Sequence, residues 1–248
     1  MNLKTFFQQN SKVALAFSGG VDSAYLLYAA AHYGAEVRAY YVKTLFQPQF
    51  ELEDARKLAE ELRVSMKIIE IPILENQVIA ENPGDRCYHC KKAIFETIAK
   101  AAREDGFTVV LDGTNASDEE GDRPGMRALR ELAVRSPLRE CGITKEEVRR
   151  LSREAGLFTW NKPAYACLAT RIPVGERITA EKLAAAENAE DYLFSLGFTD
   201  FRVRRMGDGA RLQLPEAQLR KVLEYREKIA AELKKYYSMV LLDLETRD

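Results

Sequence analysis

Two cysteines three positions apart, Cys87 and Cys90, stand in Asp85-Arg86-Cys87-Tyr88-His89-Cys90-Lys91-Lys92, in a chain of 248 residues with four cysteines in all. A C-x-x-C pair is a redox dithiol, half of a zinc site, part of an iron–sulfur site, or two unrelated thiols, and the pair alone does not choose. A third cysteine, Cys167, lies in an aperiodic segment far downstream. Three thiolates would leave one iron of a cubane open to hold a sulfide, where a cluster normally has four cysteine ligands. Three sulfurs with His89 or Cys141 would instead make a Cys₃His or Cys₄ zinc site. Direct release of sulfur from Cys167 is a further alternative. Cys141, in Arg139-Glu140-Cys141-Gly142, has no partner in sequence and reads as a small buried apolar residue.

A second chemical stretch is Ser18-Gly19-Gly20-Val21-Asp22-Ser23. Two glycines let backbone approach a phosphate closely, Ser18 and Ser23 offer hydroxyls, and a following helix would add free N–H groups and a positive dipole end. Asp22 would repel bare phosphate, so the loop makes most sense with Mg²⁺ or an arginine nearby. Neither the Walker lysine motif nor G-x-G-x-x-G is present, which argues against kinase-type NTPase and NAD-binding readings. Asp112-Gly113-Thr114-Asn115 ends a predicted strand, where open α/β sheets place their ligands. Arg123, in an Arg-Pro-Gly turn, is either a phosphate contact or a solvated arginine. Arg202 and Arg204 alternate along one predicted strand and share a face, which suits bidentate phosphate recognition or, equally, a charged outer face.

The elements that must position these residues follow from apolar patterning. Val13–Phe17, Val37–Val42, Lys67–Ile71 and Thr108–Asp112 are short runs rich in β-branched and aromatic residues, bounded by turn residues, and predict strands. Between them Asp22–Tyr33, Leu52–Leu62 and Cys90–Arg103 carry apolar residues at helical spacing. Cys87 and Cys90 then fall on a loop entering the third of these helices. Thr144-Lys145-Glu146-Glu147 is a capping box opening one more helix, ended by Gly156. The alternation predicts an α/β doubly wound parallel sheet over residues 1–157. Trp160–Gly175 has two prolines and no period and is a candidate functional loop. Beyond it, a helix over Thr179–Leu196 precedes a hairpin, Phe201–Met206 with Ala210–Leu214. A helix over Pro215–Tyr236 and a strand over Met239–Leu244 then complete a second, smaller α+β domain, 158–248.

Composition sets the outer limits. Hydrophobic residues at 46% and charged residues at 30% describe a folded chain, and a formal net charge of −1 gives no general field for nucleic acid. The N-terminal segment lacks a signal-peptide core, and no apolar run approaches the roughly 20 residues of a membrane helix. The expected setting is cytoplasmic, away from membranes and nucleic acid, with thiols reduced.

Ser18–Ser23 after a strand resembles the pyrophosphate loop of ATP pyrophosphatases, which split ATP between its α- and β-phosphates. Leu111–Ala128, Thr159–Arg177 and Phe201–Ala217 narrow this, and nearly the whole chain resembles the ATP-dependent sacrificial sulfur transferases, the LarE family. The resemblance implies adenylylation of a carboxylate on a pyridinium mononucleotide and its conversion to thiocarboxylate, a step toward the nickel-pincer nucleotide of lactate racemase. It assigns ATP and Mg²⁺ to Ser18, Gly19, Gly20, Asp22 and Ser23, the nucleotide to Asp112 and Gly113, and an anion to Arg202 and Arg204 with Glu190 close by. Many members carry one sacrificial cysteine at the position that is Ala166 here, and those members lack the Cys87–Cys90 pair. This chain resembles the other branch, in which three cysteines, here Cys87, Cys90 and Cys167, hold a 4Fe–4S cluster. The family also implies a homo-oligomer, a closed ring of several subunits; a sulfur-supplying partner is compatible with this chemistry, and the sequence does not identify the source of the sulfur. Rival readings are a tRNA thiolase, which would need a basic surface, a glutamine-dependent ligase, which has no use for three cysteines, and a non-catalytic nucleotide or redox sensor.

Overall fold

The computed structural model describes residues 1–118 and 124–247. In chain order the elements are α1 (Leu3–Gln9), β1 (Lys12–Ala16), α2 (Val21–His32), β2 (Glu36–Lys43), α3 (Gln49–Glu61), β3 (Met66–Glu70), α4 (Gln77–Ala80) and α5 (Arg86–Glu104). Then follow β4 (Val109–Leu111), α6 (Pro124–Glu131), α7 (Pro137–Glu140), α8 (Lys145–Glu154), α9 (Ala180–Ser195), β5 (Arg202–Met206), β6 (Gly209–Gln213), α10 (Leu219–Leu233) and β7 (Val240–Leu242). The chain divides into two compact units. The first is Met1–Pro72 with Asp85–Lys162; the second is Pro163–Asp248 together with the earlier segment Ile73–Gly84.

The first unit is the expected α/β layer. Four parallel strands lie in the order β3-β2-β1-β4, with Val13 opposite both Val37 and Val109. Strand residues alternate between two faces. Val13, Leu15 and Tyr41 join a core with α1, α2, α3 and α8, while Ala14, Tyr40 and Val42 pack against Ile98 and Ala102 of α5. Helix α2, apolar on nearly every side, is buried between the sheet and its outer neighbours, as an all-round hydrophobic helix must be. The capping box of α8 is formed: the Thr144 side chain accepts from the Glu147 N–H and the Glu147 carboxylate accepts from the Thr144 N–H at 2.8 Å.

One boundary differs from the expected one in a way that matters for chemistry. Helix α5 begins at Arg86, not at Cys90, so both cysteines lie in its opening turns instead of on a loop. The stop signals, Pro83 and Gly84, lie just upstream, and nothing from Asp85 onward breaks a helix.

In the second unit β5 and β6 form the expected hairpin, with Arg204 opposite Arg211, and β7 adds in parallel to β6. Helices α9 and α10 cover this sheet through Leu193, Ile229 and Leu233, against Val203 and Leu212. The early segment is bound in by backbone: Gly175 N–H donates to the Asn82 carbonyl at 2.8 Å and Ile178 N–H to the Ala80 carbonyl at 2.7 Å. The buried Asn82 carboxamide donates to the Pro173 carbonyl at 2.8 Å. Asn82 adopts a left-handed φ of 55°, which asparagine tolerates better than most residues. No helix among the described residues is long and apolar enough to cross a membrane.

Candidate active site

The phosphate loop leaves β1 at Ala16 and turns into α2 within four residues. Gly20 is the N-cap of α2 and, having no side chain, caps none of the helix's opening N–H groups. Hydroxyls shape the loop from within: Ser23 Oγ donates to the Gly20 carbonyl at 3.2 Å, accepts from Ser18 N–H at 3.3 Å and pairs with Ser18 Oγ at 3.1 Å. Gly19 takes a φ of +74°, and a Cβ there would lie 3.1 Å from the Glu51 carbonyl oxygen. Glycine is required on both counts.

The Asp112–Asn115 loop presses against the same turn. A Cβ on Gly113 would stand 2.9 Å from the Ser23 nitrogen. Asp112 is buried and accepts from Ser136 Oγ at 2.6 Å and from Thr114 Oγ1. Its carboxylate therefore sets the shape of the loop. Asp22 is gripped from two sides: Asn115 Nδ2 donates to one oxygen at 3.2 Å and Lys145 Nζ lies 2.5 Å from the other.

Ser18, Gly20, Asp22, Ser23, Asp112 and Gly113 open onto one cavity of about 560 Å³. Its other wall is apolar, from Val42, Ile94, Phe95 and Ile98, and suits a flat base beside the polar phosphate end. Cys87 and Lys91, one helical turn apart on α5, line this same cavity. Cys87 is exposed, whereas Cys90 is buried and its sulfur accepts from Arg86 Nη1 at 3.7 Å. Arg86 is itself buried, with its guanidinium over the Phe46 ring at 5.5 Å.

ATP and Mg²⁺ fit these residues: a glycine cradle, an uncapped helix start and a carboxylate beside it. A cluster or zinc ion finds less. No group of three or more His, Cys, Asp or Glu is gathered to hold a metal among the described residues. Cys141 packs beside the core of the first unit, and burial raises its thiol pKa. Arg123 lies outside the described residues.

The second unit holds a separate cleft of about 360 Å³, lined by Thr170, Arg171, Arg204, Arg205, Arg211 and Gln213. Arg204 donates to the Thr170 carbonyl at 2.6 Å and to Gln213 Oε1 at 2.5 Å. Burial, then the charges of Arg171, Arg247 and Arg211, lower its pKa. Such crowding of guanidiniums favours an anion. Arg202 shares the face of β5 with Arg204 but lies deeper, donating to the carbonyls of Phe201 at 2.6 Å and Ala164. Burial, then Arg171 and Arg247, push its pKa down to about 10. Glu190 is fully buried, and Arg171 Nε and Nη2 donate to its two oxygens at 2.8 and 2.9 Å. Val203 N–H adds a bond at 2.9 Å and Tyr165 another. Cys167 caps the short 3₁₀ turn Leu168–Arg171, and its carbonyl accepts from Arg171 Nη1 and Thr170.

Sequence reasoning did not single out Arg205, Arg211, Lys91 or Lys145 as site residues. The cross-strand pairing of Arg204 with Arg211 was available once the hairpin register was drawn, and Lys91 follows Cys87 at helical spacing. For Lys145 the sequence carries only the capping-box signal.

With this geometry in view, the likenesses to known proteins decide the family. The family model described as queuosine biosynthesis protein QueC matches residues 12–83, the stretch that carries the phosphate loop. A Lactiplantibacillus plantarum protein named pyridinium-3,5-bisthiocarboxylic acid mononucleotide synthase is 36% identical over 236 residues, covering 94% of this chain and 86% of that one. The chain belongs to the LarE family. Another relative, the uncharacterized protein slr1717 of Synechocystis, is 38% identical over 226 residues, covering 90% of this LarE-family chain and 84% of its own length. A tRNA-specific 2-thiouridylase of Thermotoga petrophila is 28% identical over 193 residues, with 61% of this chain and 54% of that one covered. The pyrophosphate-loop relatives thus include a tRNA-thiolating enzyme at a greater distance than the mononucleotide synthase.

Proposed function

We propose that this LarE-family chain uses ATP to convert a carboxylate of pyridinium-3,5-biscarboxylic acid mononucleotide to a thiocarboxylate, in nickel-pincer nucleotide synthesis. The observation that carries the reading is the single cavity lined by the phosphate loop and by Cys87. In the first step a substrate carboxylate oxygen attacks the α-phosphorus of ATP and pyrophosphate leaves with the electron pair of the broken P–O bond. In the second, a sulfur nucleophile adds to the acyl carbon and AMP departs. The backbone N–H groups in the first turn of α2 would face the charge that grows on the leaving pyrophosphate, a preorganised arrangement. Mg²⁺ held by Asp22 would neutralise part of that charge. Ser18, Gly19 and Ser23 shape the cradle, and Asp112 and Gly113 hold its far side.

The sulfur-carrying group we assign to a 4Fe–4S cluster with Cys87, Cys90 and Cys167 as ligands, on the family resemblance and on the softness of thiolates for iron. The described residues gather no three-ligand set. Arg204, with Arg202 behind it, is proposed to take the substrate phosphate, and Glu190 to hold that unit in shape through Arg171. The reading carries with it a homo-oligomer, a cytoplasmic setting and a sulfur-supplying partner.

The test is product analysis joined to metal analysis. Anaerobically purified protein should contain iron and sulfide, absorb in the visible, and release AMP and pyrophosphate only with the mononucleotide present. Single Cys→Ala changes at 87, 90 or 167 should lose colour and sulfur transfer together, whereas Cys141→Ala keeps both. ADP as product removes adenylylation. A chain lighter by about 34 mass units after turnover, the loss of H₂S from Cys167, overturns the cluster.

A further inference from the structure

Asp22, in the phosphate loop, is held by a lysine from a helix far along the chain. Lys145 is the first residue of α8, and its ammonium crosses to the first turn of α2 to sit 2.5 Å from Asp22 Oδ2. Both ends of this pair are anchored at the backbone. Lys145 N–H donates to Ser117 Oγ at 2.9 Å, the capping box fixes the residue before it, and Ala116 N–H donates to the Ile143 carbonyl at 2.8 Å. Asp22 sits within a helix turn against Gly113, with Asn115 on its other oxygen. What stays mobile is the four-carbon stem of the lysine, whose ammonium can swing while its Cα does not.

The two carboxylate oxygens are therefore spoken for, one by an amide and one by an ammonium, at the edge of the cavity that Asp22 lines. A magnesium ion binds carboxylate oxygen at about 2.0–2.1 Å in strict octahedral geometry. An ammonium on the same oxygen would leave two cations within roughly 4 Å of each other, a repulsive arrangement even at the effective dielectric of a protein surface. The metal and Lys145 compete for Oδ2. An ordinary surface ion pair would join exposed chains at no particular place; this one spans 123 residues of sequence to close on the phosphate-loop carboxylate itself.

We propose that Lys145 is a positioning residue that guards Asp22: its ammonium holds Oδ2 until a metal–polyphosphate enters, then yields that oxygen to the metal and moves onto the phosphate oxygens. The inference rests on the reading above that Asp22 serves the metal of the nucleotide. It keeps a stray divalent ion from settling on the carboxylate alone, and couples metal binding to the arrival of the phosphates.

The test measures Mn²⁺ binding to the full chain by electron paramagnetic resonance, without nucleotide, so that it does not depend on turnover. Lys145→Gln should bind Mn²⁺ about ten- to a hundredfold more tightly than the unaltered protein, the worth of one charge-assisted contact. Lys145→Arg should show no gain, and adding Asp22→Asn to Lys145→Gln should abolish it. With saturating Mn²⁺, Lys145→Gln should bind α,β-methylene ATP about tenfold or more weakly, for want of the phosphate contact. A thermal melt checks each fold, and Lys145→Met, which keeps most of the stem, repeats the comparison if the glutamine variant melts early. Unchanged Mn²⁺ affinity in a folded Lys145→Gln that binds the metal–analogue complex overturns the inference alone. Failure of the unaltered protein to bind that complex overturns the reading beneath it as well.

Discussion

Replacing Gly113 by alanine adds one methyl group at the place where two loops of the site meet. That methyl would lie 2.9 Å from the Ser23 nitrogen, 3.2 Å from the Ser23 Cα and 3.3 Å from the Asp22 Cβ. Two of these three atoms are backbone, in the first turn of α2, and cannot rotate away. The nearest approach is about half an ångström short of ordinary van der Waals contact, so one of the two loops must move. Neither is slack. The Asp112 N–H donates to the Arg135 carbonyl at 2.9 Å, its carboxylate accepts from Ser136, and Arg139 N–H donates to the Thr114 carbonyl at 3.2 Å. Overpacking of this kind costs about 1–3 kcal/mol. For a protein of this size that is a fall of roughly 2–12 °C in Tm. The movement also displaces the Ser23 end of the cradle, and losing one charge-assisted bond to phosphate costs about 1.5–3 kcal/mol, or about ten- to a hundredfold in affinity. Calorimetric titration with α,β-methylene ATP and a thermal melt read both quantities. Gly20→Ala is the matched control, because its methyl meets nothing nearer than Ser18 Oγ at 3.4 Å. It should weaken the analogue by intruding on the phosphate while shifting stability by less than about 1 kcal/mol. A Gly113→Ala protein that melts and binds like the unaltered one would refute the reasoning.

Two further outcomes follow from the second unit. Glu190→Ala strands the buried Arg171 guanidinium and should cost about 3–5 kcal/mol, seen as an early melting transition, whereas loss of an exposed pair would be within about 1 kcal/mol. Arg204→Ala should weaken inorganic phosphate or the mononucleotide about ten- to a hundredfold while leaving α,β-methylene ATP binding unchanged; equal loss of both ligands would count against the assignment.

The sequence announced the layered sheet because its signals are local. Four apolar runs such as Val13–Phe17 fall within a residue or two of β1 to β4, and the Thr144–Glu147 box opens α8 where it should. The phosphate loop was legible for the same reason: strand, glycines and helix are contiguous. What stayed hidden was contact between distant residues. Nothing around Lys145 distinguishes a lysine that reaches Asp22 from one that solvates a helix end. Arg202 and Arg204 look equivalent at period two, yet Arg202 turns inward to two carbonyls while Arg204 lines a cleft. Glu190 sits on a helix with Glu187 and Asp191, and only the buried Arg171 opposite makes it an internal strut.

The second unit's claim on Ile73–Gly84 has a consequence for how the chain is made. Synthesis delivers that segment early, but the backbone groups that receive it, at Gly175 and Ile178, emerge roughly ninety residues later. At about 5–20 residues per second the ribosome imposes a wait of roughly 5–20 s between the two. During that interval the sheet of the first unit, whose four strands are complete by Leu111, is free to form around a loop whose own partners do not yet exist. Nascent-chain pulling experiments should then register two separate folding events, the later one only after Ile178 has cleared the exit tunnel. A fragment beginning at Pro163 should not reproduce it, because the carbonyls of Ala80 and Asn82 that accept from Ile178 and Gly175 are missing from it.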